Sequence, residues 1–326
     1  MAFKAAAALA AGNTVVFKAS EKTPLGVLHI APLFAEAGFP PGVINFISGG
    51  GAVGAALASH MDVRKISFTG SAMTGKKIMI AAAQSNLKHV TLELGGKGSA
   101  IVFEDADLET VATNLSDNFL RLTGQICHSS SRLLVHENIA EKVLEMLKER
   151  YEMIGKGLGK DPMEKDTIIG PLADAMSLER VKKFMTAGIE DAELVTGGKR
   201  LGDKGCFVSP TIFTNPKSDA SIYHEEIFGP VLTVKTFRTE ESAIEMANDT
   251  EYGLAASVYT RDMALAMRVA KKLEVGNVSI NSSLGLDMNS PFGGKKGSGI
   301  GKEGGQYGLK EYLETKTIKI KLVGFK

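Results

Sequence analysis

The feature that most constrains this chain is an alternation running through roughly its first hundred residues. A short continuous apolar run is followed by a segment apolar at helical spacing, and then by the next run. The runs are "TVVFK" (14–18), "VINFI" (43–47), "KISFT" (65–69) and "HVTLEL" (89–94). Residues 2–10 precede the first as a helix; "PLGVLHIAPLFAEAG" (24–38), "AALASH" and residues 72–84 separate the others. Strands alternating with helices predict a parallel sheet with helices packed on its faces. Runs that are apolar throughout fit strands buried on both sides.

A second series starts at "SAIVF" (99–103). It continues through helix 107–121, strand "SRLLVHE" and helix 139–153, then a Gly/Asp/Pro-rich surface connection over 155–170. Helix 174–188, strand "PVLTVKTF" (230–237), helix 240–249, strand "AASVYT", helix 262–273 and strand "GNVSIN" complete it. The tail "ETKTIKIKLV" (314–323) alternates Thr/Lys with Ile/Leu, the pattern of a half-exposed strand able to complete a sheet, in this subunit or another.

Composition narrows the function classes. Of 326 residues, 44% are apolar and 23% charged, the balance of a soluble globular protein. A formal net charge of +1, with no block of like charges, gives no footing for nucleic acid or an anionic membrane. No apolar stretch reaches the ~18–20 residues of a membrane span. Two distant cysteines and six histidines point away from disulfides and from a metal site, and toward a reducing, cytoplasmic setting. "MAFKAAAALAAGN" has the outline of a weak signal peptide, but its Ala-rich run ending at Gly12-Asn13 reads better as a helix.

Several segments carry candidate chemistry. "SGGGAVG", including Gly49 and Gly54, follows a strand and opens a helix, where backbone amides can meet a phosphate. Its spacing is not G-x-G-x-x-G, so an ordinary turn fits as well. Thr69-Gly70-Ser71 repeats the strand-to-helix geometry, and Ser71 suits a helix cap or a phosphate contact. Lys18 and Glu21 lie just past a strand's C-terminal end, where open α/β sheets bind ligands; a solvated loop would look the same. Glu93 ends an apolar strand before Gly95-Gly96, so its carboxylate is either paired or raised in pKa and useful as a base. Cys127, in "GQICHSSSR", is a candidate nucleophile or a buried small hydrophobe. Cys206 reads as packing. "HEEIFGPVLTV" (224–234) sets acidic residues before a turn, and "NSPFGGKKGSGIGKEGG" (289–305) is too long to be a mere turn.

Taken in order, "GNTVVFKASEKTPL", "EAGFPPGVINFISG", "ISFTGS", "LELGGK", "GQIC", "EEIFGPV", "NDTEYGLAASVYTRD", "GNVSIN" and "PFGGKKGSG" resemble the aldehyde dehydrogenase superfamily along essentially the whole chain. The resemblance implies an α/β fold with a partial Rossmann-type cofactor domain (1–95), a catalytic domain (96–300), and a return segment with a C-terminal oligomerisation strand (301–326). It implies NAD-dependent oxidation of a small-molecule aldehyde, with NADP possible. Cys127 would form the thiohemiacetal and thioester, and Glu93 would activate the hydrolytic water. Lys18 and Glu21 would contact the adenosine ribose, Glu21 disfavouring a 2′-phosphate. Gly70 and Ser71 would lie at the nicotinamide-side turn, and Glu226 and Phe228 at the nicotinamide ribose and ring. Leu284 and Leu286 would line the substrate entrance. Arg121, six residues before Cys127, resembles the Arg with which succinate-semialdehyde dehydrogenases grip a carboxylate; a solvent-facing Arg is the plainer reading.

Departures matter equally. The family's Pro-Trp-Asn segment, whose Asn completes the oxyanion hole, is absent, so a truncated member is expected, with an exposed sheet edge. A catalytically impaired or repurposed relative, and a fragment of a normal enzyme, are the alternatives. Gly98 stands where the family usually has Ser, and is expected to loosen the backbone.

Overall fold

The computed structural model describes residues 1–322 and 324, except 166, 284 and 286. Leu284 and Leu286 therefore lie outside the described residues.

The first region begins with α1 (Ala2–Ala10), β1 (Val15–Lys18), α2 (Pro24–Glu36) and β2 (Ile44–Ile47). It continues with α3 (Gly51–Ser59), β3 (Lys65–Thr69), α4 (Ala72–Gln84) and β4 (His89–Glu93). β1 and β2 pair in parallel as a sheet of their own, and β3 pairs β4 in parallel in another. β2 and β3 stop where the run gives way to Ser48-Gly49 and Gly70, residues that favour turns over the ladder, while β1 ends before Ala19-Ser20 and β4 one residue before Gly95-Gly96.

The second region contains β5 (Ser99–Val102), α5 (Leu108–Thr113), β6 (Arg132–His136), α6 (Ala140–Lys156) and α7 (Ala175–Asp191). After these come β7 (Glu193–Thr196), β8 (Thr211–Thr214), α8 (Ser221–His224), β9 (Val231–Phe237), α9 (Glu240–Asn248) and β10 (Tyr252–Gly253). Last are β11 (Ala255–Tyr259), α10 (Met263–Lys272), β12 (Asn277–Ile280), β13 (Lys295–Lys296), β14 (Gly299–Ile300) and α11 (Gly305–Lys310). Seven strands form one sheet in the order β12-β11-β5-β6-β9-β8-β7, parallel except for β7. Successive residues of its strands point to opposite faces. Ala100, Val102, Leu133 and Val135 pack under α5 and α6; Ile101, Leu134, Ala256 and Val258 pack under α9 and α10. β7 and β8 are additions to the sequence reading, each four residues long and set among loops.

Two expectations change. The helix expected over 107–121 starts as α5, widens to a π turn over Asn114–Asn118, and ends in a tight kinked turn over Arg121–Gly124. The tail forms no strand over 314–322, because none of the described residues of this chain pairs with it; Ile318, Ile320 and Leu322 stay exposed. β14 returns instead to the first region and pairs antiparallel with β4, setting Gly299 opposite Glu93.

Candidate active site

Three segments meet at the end of β4. The backbone Gly95-Gly96-Lys97-Gly98 is squeezed between the other two. A Cβ on Gly96 would sit 2.4 Å from the Cys127 carbonyl oxygen, and one on Gly95 would sit 2.3 Å from a Glu226 carboxylate oxygen. The Gly96 amide donates to Glu226 Oε1 at 2.9 Å. Glycine is required here because only bare backbone fits between the thiol-bearing segment and that carboxylate. Gly98 is tight rather than loose: a Cβ there would lie 2.7 Å from the Ser129 carbonyl oxygen.

Cys127 reaches this junction through a kink. Leu122, Thr123 and Gly124 all have positive φ (54°, 60° and 69°). That conformation strains a β-branched residue by roughly 1–2 kcal/mol. It is held by the Thr123 hydroxyl, which donates to the Gly170 carbonyl at 2.9 Å, and by the close fit of Gly124 against Gly229. The Cys127 thiol is pushed up to about 11, first by burial and then by Glu226 and Glu93; the backbone amides of His128 and Cys127 pull the other way. Cys206 packs against the cluster of Phe213, Val208 and Val181, as the sequence suggested.

Glu93 is only 6% exposed, and its Oε2 has no hydrogen-bond partner among the described residues. Burial first, and Glu303 second, push its carboxyl up to about 8, against Lys4 and Lys302. The long Gly-rich segment closes over it: a Cβ on Gly293 would lie 2.7 Å from Glu93 Oε1. Ser298 ties that segment down, donating to the Gly95 carbonyl at 2.7 Å and accepting from the Gly253 amide at 2.9 Å. Lys4 of α1 pairs with Glu303 in the same surroundings. Glu226 is likewise raised, burial being the main cause. Phe228, with φ 56°, is 40% exposed.

The other predicted residues form a second group, at the C-terminal ends of β1 and β2. Lys18 Nζ donates to the carbonyls of Ala19 and Gly49, both at 2.7 Å, and stands 3.6 Å from Glu21. The Lys18 side chain passes 3.8 Å from a Cβ placed on Gly54. Gly49, at φ 152°, leaves no room for a side chain beside Val53. A carboxylate and an ammonium beside a bare backbone turn and the N-terminus of α3 suit a ribose diol next to phosphates. Ser71 caps α4, its Oγ accepting from the Thr74 amide at 3.3 Å, and the Gly70 amide donates to the Glu93 carbonyl at 3.0 Å. The turn after β3 thereby adjoins Glu93, whereas β1 and β2 form a separate sheet. Arg121 is exposed, with no hydrogen bond or ion pair among the described residues.

Sequence reasoning gave no role to Lys4, Lys97, His128 or Glu303. Lys97 is fully buried with an unpartnered Nζ, and burial drives it down to about 7. Only His128, next to the candidate nucleophile, carried a signal that could have been read. A cavity of about 180 Å³ lined by Asp107, Thr110, Tyr259 and Arg261 opens at the C-terminal ends of β5 and β11. The Cys127 junction lies at the opposite, N-terminal ends of the sheet, so that cavity is apart from this chemistry. Among the described residues no group of acidic, His or Cys side chains is arranged for a metal, and no helix is long and apolar enough to cross a membrane.

Residues 1–318 match the aldehyde dehydrogenase family. The chain is 48% identical over 323 residues to an aldehyde dehydrogenase of Davidiella tassiana, covering 98% of this chain and 64% of that protein. It is 47% identical over 319 residues to the mitochondrial aldehyde dehydrogenase family 2 member B4 of Arabidopsis thaliana, covering 97% and 59%. Thus it spans less than two thirds of either relative's length. Among solved structures, an indole-3-acetaldehyde dehydrogenase complexed with NAD+ superimposes with TM-score 0.94 at 43% identity, over 98% of this chain and 65% of that one. A betaine aldehyde dehydrogenase of Staphylococcus aureus, also with NAD+, gives 0.92 at 42%, over 96% and 64%.

Proposed function

The chain belongs to the aldehyde dehydrogenase family, and from that premise we propose that it oxidises an aldehyde to a carboxylic acid with NAD as cofactor. The observation carrying this reading is the meeting of Cys127 and Glu226 at the Gly95-Gly96 backbone, with Glu93 near enough to act on the Cys127 thiol. Lys18, Glu21, Gly49 and Gly54 would hold the adenosine half, Gly70 and Ser71 the link between the halves, and Glu226 and Phe228 the nicotinamide half. The exposed Glu21 carboxylate, held below its ordinary range by its own backbone amide and by Lys18, favours NAD because it would repel a 2′-phosphate. The bound cofactor supplies a hydride acceptor.

The chain's own residues supply the rest. Cys127 attacks the carbonyl carbon, its backbone amide helping to hold the oxyanion. After oxidation the acyl group is a thioester on Cys127. Glu93, raised to about 8, is a base matched to taking a proton from water near neutral pH, and the water then cleaves the thioester. The exposed guanidinium of Arg121 is available to a substrate carrying a second, anionic end. The unpaired Ile318, Ile320 and Leu322 support pairing of the tail with a second copy of the chain.

The test combines calorimetric NAD binding with aldehyde-dependent NADH absorbance. Cys127→Ser is expected to abolish turnover while Cys206→Ser keeps it; equal losses would sink the assignment of the nucleophile. A folded chain that binds no NAD would leave a repurposed relative as the reading.

A further inference from the structure

The nucleophile needs a base close to it. At about 11 the Cys127 thiol is almost wholly protonated at neutral pH; burial holds the proton on first, and Glu226 and then Glu93 add to it whenever they are ionised. Backbone amides from Cys127 and His128 soften this without reversing it.

His128 stands beside the sulfur. Ser129 donates its amide to the Ile126 carbonyl at 3.2 Å, so Cys127 and His128 are the two central residues of a tight turn. Their side chains meet there, with Nδ1 4.0 Å from Sγ. The imidazole is braced edge-on by Phe292, ring centroids 5.9 Å apart and planes at 80°; Phe292 belongs to the same Gly-rich segment that covers Glu93. Burial lowers the His128 pKa and is the only influence resolved on it, so the ring is neutral and able to accept a proton. Among the described residues, no other base has a ring nitrogen or carboxylate oxygen in hydrogen-bonding contact with Sγ.

We propose that His128 is the general base that deprotonates Cys127. As sulfur attacks the aldehyde, the S–H bond breaks, its electron pair forms the S–C bond, and its proton passes to Nδ1. The carbonyl π pair moves to oxygen, and nothing is oxidised or reduced in this step. Glu93 is left free for the later hydrolysis. The assignment rests on Cys127 being the nucleophile of the proposed oxidation, yet it can be tested without aldehyde or cofactor.

The experiment is alkylation of the full chain by iodoacetamide from pH 6 to 10. Modified Cys127 is quantified by peptide mass spectrometry, with Cys206 as internal reference. Wild type should keep a shoulder of reactivity between pH 7 and 9. In His128→Gln the rate should instead fall about tenfold per pH unit below the thiol pKa. At pH 7 that variant should be about 10²-fold slower, the usual worth of a positioned base. Glu93→Gln should retain the shoulder. His128→Asn, smaller and also unable to carry the proton, should repeat the loss, with Cys206 reactivity and circular dichroism reporting the fold. Superimposable profiles for wild type and both His128 variants would overturn the proposal. A shoulder lost in Glu93→Gln and kept in His128→Gln would hand the role to Glu93. An intact His128-dependent shoulder in a chain that forms no NADH would sink the oxidation and leave the base standing.

Discussion

Strands built from equally apolar runs end in opposite states in the two regions. Every residue of β5 and β11 is buried, as are four of the five in β6, whereas no residue of β1, β2 or β3 is. The sequences do not explain this, since "VVF" in β1 is as apolar as "AIV" in β5. Neighbours do: β5, β6 and β11 each lie between two strands, whereas β1, β2 and β3 have one apiece. α2 buries nothing and leaves Leu25 80% exposed. β4 crosses from one state to the other, exposed at His89 and buried from Thr91 to Glu93. Burial is thus a property of the pairing, and Glu93 sits where the pairing becomes complete.

The largest test of that contrast is stability. Leu134→Ala, in the middle of β6 and fully buried, should cost about 2–5 kcal/mol in urea unfolding followed by circular dichroism. Val16→Ala in β1, already 49% exposed, should stay within about 0.5 kcal/mol. A comparable loss at Val16 would break the comparison and mean that a second copy covers that edge in solution.

Next comes pH. Glu93 is raised from an ordinary carboxyl value to about 8, so between those two values the folded chain binds more protons than the unfolded one. Stability is therefore fully present at low pH and falls as pH rises through the window, by up to about 1.4 kcal/mol per unit. Glu93→Gln, which cannot ionise, should melt higher than wild type at pH 8–9 and lose the difference near pH 5, while thioester hydrolysis fails. A melting curve that responds to pH equally in both proteins would show that the burial of Glu93 is not what sets its charge.

Smaller effects separate the two glycine turns. Gly96→Ala drives a methyl against the Cys127 carbonyl and should cost about 1–3 kcal/mol along with activity. Gly51→Ala, at the start of α3 with nothing within 4 Å, should be neutral or stabilise by about 0.4–1 kcal/mol. Equal costs would mean that the turn before α3 is packed in solution as tightly as the one after Glu93.

These contrasts mark what the sequence could tell. The alternating strands were legible as apolar runs separated by helices; β7 and β8 are no shorter than β1 or β5, but β7 reads Glu-Leu-Val-Thr and the two pair antiparallel without a helix between them. Local sequence marked Cys127 and Glu93 as candidates, and resemblance gave them and Glu226 their roles; in the structure Cys127 and Glu226 meet at Gly95-Gly96, with Glu93 near the thiol. The Lys4–Glu303 pair was invisible because its partners are 299 residues apart and neither lies in a distinctive motif. Gly98 was misread as a loosening because sequence shows a missing side chain and not the carbonyl of Ser129 that takes its place.

The smallest prediction concerns Ser71, where the local and functional readings still compete. Its hydroxyl caps α4 through the Thr74 amide, and capping alone would account for Ser at that position. Ser71→Ala should cost about 1 kcal/mol of stability, but Ser71→Gly only a few tenths, because glycine serves nearly as well as a cap. Both variants delete the same hydroxyl. If Ser71 also touches a cofactor phosphate, NAD affinity should fall equally in the two, although their stabilities differ. An affinity that follows stability, weaker in Ser71→Ala and near wild type in Ser71→Gly, would mean that the cap is all Ser71 does. The turn after β3 would then hold α4 in place without reading the ligand.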